Sequence, residues 1–192
     1  NTVVTMPVLA LRGLTIFPNM LLHFDVGRDT SIKALDQAMS EGLPIFLVAQ
    51  RDLSVEEPGQ EDLYHIGTIS NVKQILRLPG GNVRVMVEGS SRGRLLGLSQ
   101  SAPFLQGAVE YLPVPEHTRN TPKTEALIRS TYELFESYAG LSPRMTGDVL
   151  ISVLASDDPG YIADYIAQNI AMRASDKQGI LEELRPVRRL EK

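Results

Sequence analysis

The stretch from Leu63 to Leu98 constrains this chain most, because two long runs of β-branched and aliphatic residues flank Pro79-Gly80-Gly81-Asn82. Glycine takes positive φ without steric penalty, so Gly80-Gly81 between such runs predicts a β-hairpin. With Gly80-Gly81 as the turn, Leu78 pairs with Val83, Arg77 with Arg84, Leu76 with Val85, Ile75 with Met86 and Lys73 with Glu88. Side chains alternate between faces. One face of the ribbon then collects Leu76, Leu78, Val83, Val85 and Val87 as a core surface. The other carries Lys73, Arg77, Arg84 and Glu88, with Ile75 and Met86 opposite each other among those charges. Methionine adapts its shape, so an apolar pair left open there suits loose apolar binding, whereas a pair covered by another element would be ordinary core.

The rest of the chain must give this ribbon something to pack on. At 192 residues with 43% hydrophobic residues there is enough chain for one domain or two small ones. No cysteine is present, which removes disulfides, thiolate metal sites and thiol nucleophiles and fits a reducing compartment. No apolar run has the length of a membrane span, and Asn1-Thr2-Val3-Val4-Thr5 lacks the pattern of a signal peptide. A soluble, cytoplasmic chain without a membrane partner is therefore expected. The opening at Asn1 and the close at Glu191-Lys192 are those expected of an excised piece. A formal net charge of -4 argues against a partner held mainly by phosphate charge.

Before the ribbon, Met6 to Leu11 reads as a strand, and Arg12 to Met20 is a loop rich in large hydrophobes. A loop of that kind either packs inward or is kept for contact; Ile16 is read as buried, while Phe17, Pro18 and Met20 are open to both roles. Leu21 to Gly27 resumes strand character. Asp29 or Thr30 can cap a helix carrying Ile32, Leu35 and Met39 on one stripe, ended by Gly42. Leu43 to Ala49 is a continuous apolar run of strand length, as in a fully buried central strand. Arg51 to Asp62 is an acidic loop without the ligand pattern of a cation site. After the hairpin, Ser90-Ser91-Arg92-Gly93-Arg94 predicts a bulge in the return arm, and Pro103 to Leu112 a further strand.

Pro113-Val114-Pro115 changes the texture from strand to helix, placing a boundary near Glu116: residues 1–116 form a β-rich subdomain and 117–192 a helical one. Thr121-Pro122 offers an N-cap followed by Pro in the first turn. Ser142-Pro143 and Asp158-Pro159 repeat the device, Ser175 with Gln178 reads as a capping box, and Pro186 breaks that fourth helix.

The residue inventory supplies no catalytic set. His23, His65 and His117 lack paired spacing for a metal or a proton relay. There is no phosphate-binding G-x-x-x-x-G-K-[ST] loop and no G-x-S-x-G elbow. Asp157-Asp158 is explained as capping. Lys73, Arg77, Arg84, Arg92 and Arg94 could track a nucleic-acid backbone, but without interleaved aromatics they lack stacking platforms.

An ordered set of short motifs adds a family to this reading. Pro7 to Pro18 with Leu11-Arg12 and Phe17-Pro18, then Val26-Gly27-Arg28, Ala49-Gln50-Arg51, Ile66-Gly67-Thr68, Leu78-Pro79-Gly80-Gly81 and Val87-Glu88-Gly89 with Arg92 beyond, closely resembles the N-terminal domain of bacterial Lon proteases. Ala10, where a proline is common, and Gly93, where alanine is usual, depart from the pattern. The resemblance implies an α+β fold: a PUA-like β pseudo-barrel with a covering helix, then an α-helical bundle leading toward a long linker helix. It also implies a larger enzyme, an ATP-dependent serine endopeptidase whose AAA+ module uses ATP and Mg and whose Ser-Lys dyad cuts. Neither module lies in this chain, for which no catalytic residue, metal or cofactor is expected.

The implied task is recognition of unfolded or damaged proteins and their presentation to a hexameric AAA+ ring, with N-domains also pairing among themselves. Capture of many unrelated unfolded chains calls for shallow apolar contacts. The expected contact surface is Phe17, Pro18 and Met20 in the loop with Ile75 and Met86 on the ribbon, and Arg77 and Arg84 reaching toward acidic segments. The alternatives are a PUA-like nucleic-acid reader using the basic face of the hairpin, and a module that only self-associates.

Overall fold

The computed structural model describes residues 1–117 and 119–192. The chain divides into two compact units, Asn1–Pro113 and Val114–Lys192, which meet within Pro113-Val114-Pro115. The first unit is built from β1 (Val3–Leu11), β2 (Leu21–Val26), α1 (Asp29–Glu41), β3 (Ile45–Ala49), β4 (Ile66–Arg77), β5 (Val83–Gln100) and β6 (Leu105–Tyr111). β1 pairs with β3 in parallel, and β3–β4, β4–β5, β5–β6 and β6–β1 pair antiparallel, which closes a ring of strands. β2 pairs with the first half of β5 and ends the sheet on that side.

The ring interior is filled from every one of its strands: Met6, Val8, Phe46, Ile69, Leu95 and Val109 belong to one buried cluster. β1 and β3 are covered on their outer side as well, where α1 packs against β1. Burial on both faces is why Ile45 to Ala49 reads as an unbroken apolar run. The helix meets the sheet through Ser31, Ala34, Leu35 and Ala38. Of the expected stripe only Leu35 is buried, while Ile32 is half-buried and Met39 exposed, because the face turned to the sheet runs through Ser31, Ala34 and Ala38 instead. Arg28 occupies the N-cap position without a side-chain capping bond, in place of Asp29 or Thr30, and Gly42 ends the helix at φ 63°.

The hairpin forms with a different register. Leu78 N–H donates to the Asn82 carbonyl at 2.9 Å, so the connection runs from Leu78 to Asn82, with Gly80 and Gly81 at φ 87° and 88°. The pairs become Arg77–Val83, Leu76–Arg84, Ile75–Val85 and Gln74–Met86, with Lys73 bulged out before Val72–Val87. A slip of one residue sends each affected side chain on that arm to the opposite face. Ile75 and Arg77 therefore join the side of Val83, Val85 and Val87, while Leu76 joins Arg84 and Met86. The second bulge falls at Ser90, within the expected stretch, and the Ser90 hydroxyl donates to the Ile69 carbonyl at 2.8 Å.

The second unit holds α2 (Pro122–Leu141), α3 (Gly147–Leu154), α4 (Pro159–Asn169), α5 (Ala174–Glu182) and α6 (Pro186–Glu191). Ile128, Phe135, Val153 and Ile162 form its core. Thr121 caps α2 by accepting from Thr124 N–H at 3.2 Å, and Asp158 caps α4 by accepting from Gly160 N–H at 3.0 Å. Two expected caps are absent. α3 begins at Gly147 after Thr146 rather than at Pro143, and α5 follows Arg173, whose guanidinium pairs with Asp176, rather than a Ser175 box. Arg189 on α6 is buried against Asp164 of α4 at 3.1 Å and donates to the carbonyls of Glu183 and Gly160.

Candidate functional site

Three strands that share β5 make a ribbon with one covered and one open face. Strand alternation and the observed register lay the open face out in rows: Asp25, Arg84 and Leu76; then His23, Met86 and Gln74; then Leu21, Glu88 and Asn71. The covered face carries Val83, Val85 and Val87, all buried. On the open face Leu21 is 56% exposed, Leu76 51% exposed, and Met86 half-buried. Around them the charges are matched. Arg84 Nε meets Asp25 Oδ1 at 2.8 Å and Lys73 Nζ meets Glu88 Oε2 at 3.2 Å. The hydrogen bond from Arg84 holds the Asp25 carboxyl below its ordinary pKa.

The greasy loop contributes nothing to this face. Phe17 is 0% exposed, and Pro18 and Met20 are buried. The cause is the loop backbone, which is bonded into the sheet: the Thr68 hydroxyl donates to the Ile16 carbonyl at 2.7 Å, Asn19 N–H to the Gly89 carbonyl and Gly89 N–H to the Met20 carbonyl, both at 2.8 Å. A Cβ at position 89 would lie 2.4 Å from the Phe17 carbonyl oxygen, so glycine permits the approach. The expected open placement of Phe17, Pro18 and Met20 is thus corrected to core packing.

Of the ribbon residues, the structure separates what the sequence register joined. Met86 and Arg84 stay on the open face. Ile75 and Arg77 lie on the other, where Ile75 is half-buried and Arg77 pairs with Asp36 of α1 at 2.8 Å. Arg92 is buried and Arg94 pairs with Glu110 at 3.1 Å. The ribbon arginines therefore do not form a basic track. Leu21 and Leu76 complete the apolar part of the face; both escaped the sequence reading, Leu76 through the slipped register and Leu21 because nothing placed β2 beside β5. Among the described residues no group of His, Asp or Glu gathers as a metal site, and no helix is long and apolar enough to cross a membrane.

A family model for the ATP-dependent protease La (LON) substrate-binding domain matches residues 5–192. The chain belongs to the LON substrate-binding domain family. Its relatives are the longer Lon proteases: it is 43% identical over 97% of its length to Lon protease of Clostridioides difficile, covering 24% of that protein. It is 38% identical over 93% of its length to Lon protease of Escherichia coli, covering 23%. This LON domain thus spans about a quarter of the relatives it matches. Its fold is that of the N-terminal domain of a Mycobacterium avium complex Lon protease, with TM-score 0.77 at 21% identity over 97% of this chain and 94% of that one. It is also similar to a Lon N-terminal domain protein from Xanthomonas campestris, with TM-score 0.69 at 14% identity over 98% and 95% of the two chains.

Proposed function

We propose that this LON domain holds unfolded or damaged polypeptides against the open face of the β2–β5–β4 ribbon and presents them to the AAA+ ring of an ATP-dependent protease, taking no part in the chemistry. One observation carries the reading: Leu21 and Leu76 stand open, with Met86 half-buried on the same face, on a hydrogen-bonded sheet whose neighbouring charges are already paired. Unfolded chains share exposed apolar side chains rather than a sequence, and a shallow apolar face meets that common feature.

The strength of such capture follows from the area involved. Leu21 and Leu76 each have about half their surface left to cover, worth roughly 1 kcal/mol apiece, with Met86 adding a little less. A single domain then holds a client weakly, and several copies around a ring raise retention through effective concentration. Brief, repeated contact suits handing a chain onward.

The test replaces Leu21 with Ser and Met86 with Asp and measures binding of a denatured model protein by anisotropy, with circular dichroism reporting the fold. Reduced binding by a folded variant is expected, and binding should vary little with salt. Wild-type binding by the folded double variant would remove the face from the function. Binding that collapses with added salt would favour a charged ligand instead.

A further inference from the structure

The first unit carries a second surface, on the unpaired side of β2. Gly89 N–H donates to the Met20 carbonyl, and alternation along an antiparallel pair then turns the backbone groups of Leu22, Phe24 and Val26 toward β5 and those of Leu21, His23 and Asp25 toward the open edge. Across from it, β1 runs past the end of its β6 ladder and gives the Ala10 carbonyl to Arg28, so the open edge is that of β2. Tyr111 N–H donates to the Thr2 carbonyl, which places the even-numbered residues of β1 on the β6 side, and the β6 ladder ends at Val8–Leu105, short of Ala10.

Between β2 and this end of β1 lies a cleft of about 310 Å³ whose walls include Ala10, Leu11, Leu14, Phe24 and Asp25. Arg12 and Arg28 line it too. Arg28 donates to the carbonyls of Ala10 at 2.7 Å and Glu56 at 3.2 Å, and Arg12 to that of Val55 at 3.3 Å. Among the described residues neither guanidinium has a carboxylate at ion-pair distance, although Asp29, Glu56 and Glu57 line the adjoining depression. The contrast with Lys73, Arg77, Arg84 and Arg94 is direct, since each of those has an acidic partner. Two close cations whose bonds go to neutral carbonyls leave charge for an acid to meet.

We infer that this cleft takes an extended acidic peptide as an added strand along β2, with one aspartate or glutamate side chain set between Arg12 and Arg28. The edge at Leu21, His23 and Asp25 offers backbone donors and acceptors to about five residues of an incoming strand, whatever their sequence. The arginines select a carboxylate, and Leu11, Leu14 and Phe24 receive an apolar neighbour. Asp29, Glu56 and Glu57 oppose a densely acidic peptide, so the fitting segment carries one carboxylate among apolar residues. The inference rests on the preceding proposal only in taking polypeptide as the ligand.

The probe is a labelled peptide of valine and leucine with one central glutamate, capped at both ends, titrated into the 192-residue chain and followed by anisotropy. Replacing the glutamate by lysine, or N-methylating alternate peptide nitrogens, should each weaken binding at least about tenfold, the scale of one charge-assisted hydrogen bond. Arg12→Glu should cost as much. His23→Pro removes only an outward-facing edge donor, a position where proline is tolerated, and should abolish binding while His23→Ala retains it. An N-methylated peptide that binds the unaltered protein like its parent overturns strand addition. A lysine peptide as good as the glutamate one, or Arg12→Glu binding as wild type, overturns the carboxylate site. Denatured-protein binding by Met86→Asp reports on the ribbon face alone, so the two proposals fail on separate measurements.

Discussion

The buried ion pair of the helical unit gives the sharpest stability test. Arg189 is 2% exposed and Asp164 6% exposed, and the guanidinium also donates to the carbonyls of Glu183 and Gly160. Asp164→Asn removes the charge that balances a dehydrated guanidinium, and Arg189→Met strands the carboxylate, so each should cost about 3–5 kcal/mol. Replacing both, as Asp164→Leu with Arg189→Met, removes the desolvation cost of two charges, worth about 1–4 kcal/mol. Against this stand the two lost carbonyl bonds at about 1 kcal/mol each. The double variant is therefore expected within about 2 kcal/mol of the unaltered chain and well above either single one.

Urea unfolding followed by far-UV circular dichroism reads the helical unit, which holds most of the chain's helix. Tyrosine emission serves as a second probe, since Tyr132, Tyr138, Tyr161 and Tyr165 lie in this unit and the chain has no tryptophan. For a unit of this size the single variants should melt more than about 12 °C lower. Single variants within about 1 kcal/mol of wild type, or a double variant as damaged as the sum of the two, would refute the account of a dehydrated pair.

Three further expectations can be checked alongside. Phe17→Ala should destabilise the first unit by about 3–5 kcal/mol, as for a large buried aromatic, and a Phe17→Leu variant that folds should bind denatured protein as wild type does. Gly89→Ala forces a Cβ to within 2.4 Å of the Phe17 carbonyl oxygen, so thermal melting should fall and hydrogen exchange at Asn19, whose N–H meets Gly89, should accelerate. Hydrogen bonds from Arg185 pull the Glu183 carboxyl down from 4.5 to about 2. A lowered carboxyl pKa stabilises the fold above the ordinary value and loses that effect as pH falls through the folded one. Acid unfolding should accordingly steepen between those values, Glu183→Gln should flatten that part of the curve, and the carboxyl carbon resonance of Glu183 should titrate near 2.

What could be read from residues alone was set by local rules, and what could not was set by distant contacts. Thr121-Pro122 and Asp158-Pro159 announce helix starts because capping is a short-range hydrogen bond, and Ile45 to Ala49 announces a buried strand because every position is apolar. The hairpin was legible as an element but not in register. Gly80-Gly81 marks the turn equally well for a two-residue connection and for the longer one from Leu78 to Asn82, and only packing of Ile75 beside Val85 on the covered face decides between them. That single ambiguity moved Ile75 and Arg77, two of the four ribbon residues expected at the site. The loop from Arg12 to Met20 was undecidable for a similar reason, because its burial depends on Thr68 and Gly89, more than fifty residues away along the chain.

The length of β5 has a mechanical consequence. One continuous strand, Val83–Gln100, supplies both the middle of the ribbon and a wall of the closed ring. On the proposed reading, the contact surface is therefore held by the sheet before any client arrives, and nearly all the freedom given up on contact is the client's own. A platform preorganised in this way would need only three modest side chains for the proposed contact, and would release a polypeptide without having to refold itself.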